Sequence, residues 1–170
     1  MSRIFVVSDT HFGHDNIIKY CDRPFHNYED MDWEMVKRWN SVVREEDHVW
    51  HLGDVYMGSG SKGYIDHILG SLNGKKRLIL GNHDNGRDQL LHKHFQKIVM
   101  WRTFKEFDAL LTHVPVHPLS IMRDYVNVHG HIHNKKVVFQ SAPDTPDPRY
   151  RCVCVEHTDY TPILLGETNA

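Results

Sequence analysis

The sequence predicts an α/β protein: a central β-structure, two packed sheets, with helices on its faces. Three observations predict it. Five apolar, β-rich runs each stop at Asp, Asn or His; helix-like stripes lie between the early runs; and the second half is richer in strand-like segments. Strand and helix in alternation are the pattern of an α/β sheet, whose loops converge beyond the carboxyl ends of its strands.

Ile4-Phe5-Val6-Val7 is the first run, and it stops at Ser8-Asp9-Thr10-His11. Tyr28, Met31, Met35, Trp39 and Val42 recur at three- and four-residue spacing, which predicts a helix with one buried stripe. Glu29, Asp30 and Asp32 near its start favour the positive end of the helix dipole. His48–Leu52 alternates as a strand and stops at Gly53-Asp54. Gly58-Ser59-Gly60-Ser61-Lys62-Gly63 lacks the spacing of a phosphate-binding loop and reads as a flexible loop at a site's rim. Tyr64, Ile65, Ile68, Leu69 and Leu72 form a second helical stripe. Arg77–Leu80 follows as a strand that stops at Gly81-Asn82-His83-Asp84, and Arg87–Phe95 suggests a third helix. Strands are then expected at Ile98–Phe104, Ala109–Leu111, Val126–Val128, Val137–Phe139 and Arg151–Val155. Two of them end in imidazoles: Ala109–Leu111 at Thr112-His113, and Val126–Val128 at His129-Gly130-His131-Ile132-His133.

Composition bounds the rest. A chain of 170 residues is the usual size of one domain, so residues 1–170 are expected to form one. No apolar stretch approaches the roughly 20 residues that span a bilayer, and Met1–Val7 meets Ser8-Asp9 too early for a signal peptide. A cytoplasmic protein is expected. A net charge of −2 gives no footprint for wrapping nucleic acid, so a phosphate partner must be attracted locally. Cys21, Cys152 and Cys154 are odd in number, which suits a reducing compartment, and the last two read as packing residues on one strand face. The fifteen histidines are dispersed, so no purification tag explains them.

Strand tips that share one crevice would gather these Asp, Asn and His side chains as metal ligands. The glycines before Asp54, Asn82 and His131 fit, because they allow close approaches that a side chain would obstruct. Taken in order, Asp9-x-His11, Gly53-Asp54, Gly81-Asn82-His83-Asp84, His113 and Gly130-His131-x-His133 closely resemble the signature of the calcineurin-like metallophosphoesterases. The stretch Ser8–His14 is similar to that of the family's small bacterial and phage phosphohydrolases.

The resemblance implies a four-layer α/β/β/α sandwich of two mixed sheets flanked by helices, and two divalent transition-metal ions. It implies that Asp9, His11 and His133 hold one ion, that Asn82, His113 and His131 hold the other, and that Asp54 bridges both. Oxygen and imidazole donors without thiolate suit manganese, the preferred ion, or iron, zinc or nickel. The resemblance makes His83 the catalytic group that protonates the leaving oxygen or stabilises phosphoryl charge, chemistry an imidazole performs near neutral pH. Asp84 is one candidate to orient it.

The expected function is that of a dinuclear metal-dependent phosphoesterase, hydrolysing a small or nucleotide-like phosphomonoester or phosphodiester with metal-activated water. A non-catalytic metal-binding scaffold and a nuclease are the alternatives, although no basic-aromatic stretch supplies a nucleic-acid track. Val55-Tyr56-Met57-Gly58 lacks the acid and arginine with which the family's protein phosphatases continue this motif. His14 and Arg87 are candidate substrate contacts. Arg123 reads as solvated with phosphate contact as the alternative, His51 as strand packing, and His117, His129 and His157 as structural, with support of the ligands as the alternative. The pocket is expected to be open and formed by short loops, including Tyr56–Gly63 and Pro115–Tyr125.

Overall fold

The computed structural model describes residues 2–58 and 60–167. In the first half, strands β1 (Ile4–Val7), β2 (His48–His51), β3 (Lys75–Ile79) and β4 (Ile98–Val99) are separated by helices α1 (Asp15–Tyr20), α2 (Tyr28–Val42), α3 (Lys62–Ser71) and α4 (Gln89–His94). The second half is mainly strands: β5 (Trp101–Phe104), β6 (Ala109–Thr112), β7 (Val126–His129), β8 (Val138–Phe139), β9 (Ala142–Pro146), β10 (Tyr150–Cys152) and β11 (Ile163–Leu164). No helix among the described residues is long and apolar enough to cross a membrane.

Helix starts are set by side chains that accept otherwise unpaired amides. Asn27 accepts from the amide of Asp30 at the start of α2, Ser61 from that of Tyr64 at α3, and Asp88 from that of Leu90 at α4. The Ser61 cap starts α3 at Lys62, so Lys62 and Gly63 are helical where a loop was expected; Ser59 lies outside the described residues. Likewise the Asp88 cap delays α4 to Gln89, two residues after the expected start at Arg87.

The first sheet has strand order β11-β1-β2-β3-β4 and the second β10-β7-β6-β5. β1 to β4 run parallel, whereas β11 adds an antiparallel edge, and β5 does the same beside parallel β6, β7 and β10. Both sheets are therefore mixed, as expected, and the α-helices pack against the outer face of the first sheet. Successive strand residues face opposite ways. Phe5 and Val7 of β1 join Met31, Met35, Trp39, Ile65 and Leu69 from the helices, while Val6 joins Trp50, Phe104, Leu111 and Val128 between the sheets. The outer face of the second sheet carries Trp101, Thr103, Leu110 and Thr112, which alternate with residues of that inter-sheet core.

The expected strand Ile98–Phe104 is two strands. Ile98 and Val99 pair with Leu78 and Ile79 in the first sheet, whereas Trp101–Phe104 pairs with Thr112–Ala109 in the second, so the chain must break at Met100 to change sheets. Arg151–Val155 is also shorter than expected as a strand. Pairing with β7 ends at Cys152, Cys154 bridges to Ser8, and Val155–His157 turns away as a 3-10 helix. Parallel pairing aligns the carboxyl ends of β1, β2 and β3, bringing the segments after Val7, His51 and Ile79 to one edge.

Candidate metal centre

The loops beyond those strand ends depart from ordinary backbone geometry. Asp9, His11, Asp54, His131 and His133 have φ values of 58°, 50°, 56°, 71° and 49°, so five of the seven expected ligands are left-handed. Such conformations are uncommon without glycine and persist where the surroundings over-determine them. Here the surroundings are hydrogen bonds between loops. Asp9 N donates to Gly53 O at 3.0 Å, and His11 N to Asp54 O at 3.1 Å. Asp84 accepts from the amides of Gly81, Asp54 and Val55 at 2.8, 2.9 and 3.0 Å, tying the loop after β3 to the loop after β2.

Close packing of backbone makes two glycines obligatory. A Cβ at Gly81 would lie 2.2 Å from Asp54 Oδ1, and one at Gly130 would lie 2.2 Å from Asp9 Oδ2. No carbon atom fits at those separations.

Two groups of ligand atoms result. Asp9, His11 and His133 form one, with His11 Nε2 3.9 Å and His133 Nε2 3.8 Å from Asp9 Oδ1. Asp54, His113 and His131 form the other. Asn82 belongs with the second group, because its Oδ1 lies 2.8 Å from His113 Nε2 and 2.9 Å from His131 Nδ1. Asp54 stands between the groups: its Oδ2 is 3.7 Å from His11 Nε2 and 3.5 Å from His113 Nε2.

Several of these atoms are buried and have no hydrogen-bond partner among the described residues, namely Asp9 Oδ1 and both ring nitrogens of His11. Leaving such groups unpaired is costly in a protein interior, which is why they are rare. Cations would complete them, so the residues present fit the metal centre that the sequence implies. Oxygen and imidazole donors also match divalent transition ions.

Electrostatics reflect the crowding. Burial raises the Asp9 carboxyl to about 6, with nearby His113 working against it. Burial, reinforced by the Arg23 charge, lowers His11 to about 2, leaving a neutral imidazole able to donate a lone pair. Asp54 is lowered to about 2: burial opposes the shift, but the His113 hydrogen bond, the His113 charge and the His83 amide outweigh it. Burial lowers His131, with His113 adding to the effect.

Residues unmarked in the sequence support this centre. Glu156 Oε1 lies 3.1 Å from His133 Nδ1, directing Nε2 toward Asp9. Arg23 pairs with Glu156 and also donates to the carbonyls of Asp9 and Thr10 at 2.7 and 2.9 Å. Cys21 shares a potential ligand group with His133 and Glu156. Cys154, read as a packing residue, donates its thiol to Asp9 Oδ2 at 3.2 Å and lies 3.4 Å from the Cys152 sulfur.

The remaining candidates divide. The His83 ring is exposed with its centroid 5.8 Å from that of His11, and its amide donates to Asp54 Oδ1 at 2.9 Å. Asp84, the residue considered for orienting His83, has its carboxylate engaged by the three backbone amides. The His14 ring is 5.6 Å from that of His11, with Nδ1 buried and without a hydrogen-bond partner among the described residues. Arg87 is exposed. His51 is buried against Thr10 Oγ1 at 2.9 Å, His129 against Gly130 O at 2.8 Å, and His157 contacts Lys135 O at 3.0 Å. His117 accepts from the amide of Leu119.

The family model for calcineurin-like phosphoesterases matches residues 2–159. An uncharacterized protein of Methanocaldococcus jannaschii is 34% identical over 165 residues, 97% of this chain and 88% of its own. The Gene 66 protein of Mycobacterium phage L5 is 31% identical over 170 aligned positions, covering 81% of each chain. Among solved structures, a protein of unknown function from Aquifex aeolicus aligns with a TM-score of 0.74 and 27% identity, over 98% of this chain and 97% of that one.

Proposed function

The chain belongs to the calcineurin-like phosphoesterase family, and from that premise we propose that it is a dinuclear metal-dependent hydrolase of a small phosphomonoester or phosphodiester. The observation that carries this reading is the position of Asp54, whose Oδ2 lies 3.7 Å from His11 and 3.5 Å from His113. One carboxylate is thus shared between two groups of ligand atoms.

In this reading Asp9, His11 and His133 hold one divalent ion, Asn82, His113 and His131 hold the second, and Asp54 serves both. Manganese is preferred, with iron, zinc and nickel as alternatives. Bound there, a pair of divalent ions would supply Lewis acidity toward the phosphoryl oxygens and would make a nearby water more acidic.

The chain's own residues have separate tasks. A cation ligand must present lone pairs rather than protons. Burial favours this at His11 and the contacts of Asp54 favour its carboxylate, whereas His133, raised against burial by Cys21, Glu156 and Asp9, must give up a proton to bind. The Glu156–His133 contact fixes which ring nitrogen faces Asp9, and a carboxylate behind a histidine ligand raises its basicity. His83 and His14 flank His11 at the open side of the centre. His83 is the proton donor to the leaving oxygen. Water forms the new bond to phosphorus and releases a proton, the bond from phosphorus to the leaving oxygen breaks, and that oxygen departs as an alcohol with the proton from His83. The proton released by water restores His83 through solvent.

The test is hydrolysis of 4-nitrophenyl and bis-4-nitrophenyl phosphates by the manganese-loaded protein, with metal content measured on the same sample. About two ions per chain and nitrophenol release from one of the esters are expected. A chain that holds the ions but turns over neither ester would instead be the metal-binding scaffold.

A further inference from the structure

We propose that the groove on the outer face of the second sheet is the pocket for the organic group of the substrate. This selects phosphate esters whose organic group is apolar and uncharged. The inference rests on the phosphoesterase reading and narrows its substrate class.

The groove encloses about 630 Å³, within the range of small-molecule pockets. Asn82 and His113, two candidate ligands of the second ion, are among its lining residues. An ester whose phosphoryl group lay over the ions would therefore have the groove beside it. Leu80, Leu110 and Val116 line the walls, and Met100, Trp101 and Met122 stand exposed along it. No Lys, Arg, Asp or Glu is among the described lining residues. A second phosphate or another charged group would lose its hydration there without a partner. The polar lining, such as Thr103 and Tyr125, can accept or donate single hydrogen bonds, which orients a ligand without demanding charge.

The sequence accounts for the groove. β5 and β6 turn Phe104, Ala109 and Leu111 inward, so the alternate residues Trp101, Thr103 and Leu110 face out. The segment between His113 and Val126 then passes alongside that face instead of a covering α-helix. Tyr150 holds the start of this segment through Val116 O at 2.8 Å, and Asn127 Oδ1 accepts the Val116 amide at 3.0 Å. A second copy of the chain is the competing occupant. The presence of Asn82 and His113 in the lining favours substrate, since a contact between copies has no reason to include candidate metal ligands.

Phenyl phosphate and 4-butylphenyl phosphate have leaving groups of nearly equal acidity, so their ratio of kcat/KM reports recognition of the butyl chain. For the manganese-loaded protein the ratio is expected to exceed tenfold in favour of the butyl ester. Met122→Glu, at an exposed position, is expected to bring it close to one. A second measurement needs neither metal nor turnover: binding of 4-butylphenol to the metal-free protein, followed by chemical-shift changes, is expected in the parent and lost in Met122→Glu.

Equal kcat/KM for the two esters, or no binding of 4-butylphenol, overturns the proposal. A parent that sediments as a dimer and becomes monomeric in Met122→Glu with the ester ratio unchanged also overturns it, and assigns the groove to contact between copies. If no ester is hydrolysed, the proposed function fails, while 4-butylphenol binding still decides the groove.

Discussion

Arg23 and Glu156 form a buried ion pair beneath the candidate metal centre, with Arg23 Nη2 2.8 Å from Glu156 Oε1. The pair joins positions 133 residues apart in the chain. Its two ends act on the same ligand group: Glu156 meets the His133 ring, and Arg23 holds the carbonyls of Asp9 and Thr10.

Glu156→Gln keeps the shape and removes the charge, leaving Arg23 buried without its partner. Breaking a buried pair in this way costs about 3–5 kcal/mol. Metal affinity should fall roughly 10–100-fold, as is typical when a residue behind a ligand is changed. Denaturation in the presence of a chelator measures the first effect and manganese titration the second. Unaltered affinity would remove Glu156 from the support of His133.

The convergence of the strand-tip Asp, Asn and His residues was legible in the sequence because most follow an apolar run closely, so one local pattern marks both the strand and its loop. Arg23 and Glu156 carried no such mark. Arg23 lies in an irregular segment before Pro24, and Glu156 in a 3-10 turn, so only the folded chain brings them together. Asp84 stood in plain view beside His83 as one candidate to orient it, but adjacency could not reveal that its carboxylate accepts from three backbone amides. The change of sheet at Met100 was hidden for a different reason. Ile98–Phe104 is continuously compatible with a strand, and pairing alone decides where it divides.

Gly130→Ala and Gly81→Ala should damage the candidate centre through different carboxylates, Asp9 in the first and the shared Asp54 in the second. The new methyl at position 130 would meet Ser8 Oγ at 2.0 Å and Asp9 Oδ2 at 2.2 Å. At position 81 it would meet Asp54 Oδ1 at 2.2 Å and the Asp54 amide at 2.4 Å. The Asp54 backbone cannot yield as a flexible side chain would. Each variant is expected to lose one to three kcal/mol, about the usual cost of overpacking, and to bind less than the full complement of metal. Full metal content in both would contradict the assigned groups.

Asp47 gives a pH dependence remote from the metals. Burial acts to raise its pKa, but hydrogen bonds from the Arg3 side chain and from the Arg44 and Arg3 amides outweigh it and hold the carboxylate below its ordinary range. A depressed carboxyl contributes stability that is present above its unfolded value, about 3.9, and lost as pH falls through the folded one. Asp47→Asn should therefore be less stable than the parent at pH 7, with the gap closing as pH falls below about 4. Parallel urea titrations at pH 7 and pH 3 measure it. A constant gap would mean that the lost interaction does not depend on charge.

Adjacent residues His83 and Asp84 should fail in opposite ways. The exposed His83 ring belongs to neither of the three-residue ligand groups, so His83→Ala is expected to retain its metals and fold while turnover drops roughly 10²–10⁴-fold, the range for a general acid. Asp84→Asn replaces one acceptor oxygen by a donor, yet the amides of Gly81, Asp54 and Val55 still point at that side chain. Each amide left without an acceptor costs about 1–3 kcal/mol, so this variant should melt earlier and bind the second ion weakly. Thermal denaturation, metal content and single-turnover hydrolysis on the two variants separate the roles. Loss of metal in His83→Ala would make His83 a ligand, and normal stability in Asp84→Asn would show that the loop after β2 does not need its anchor.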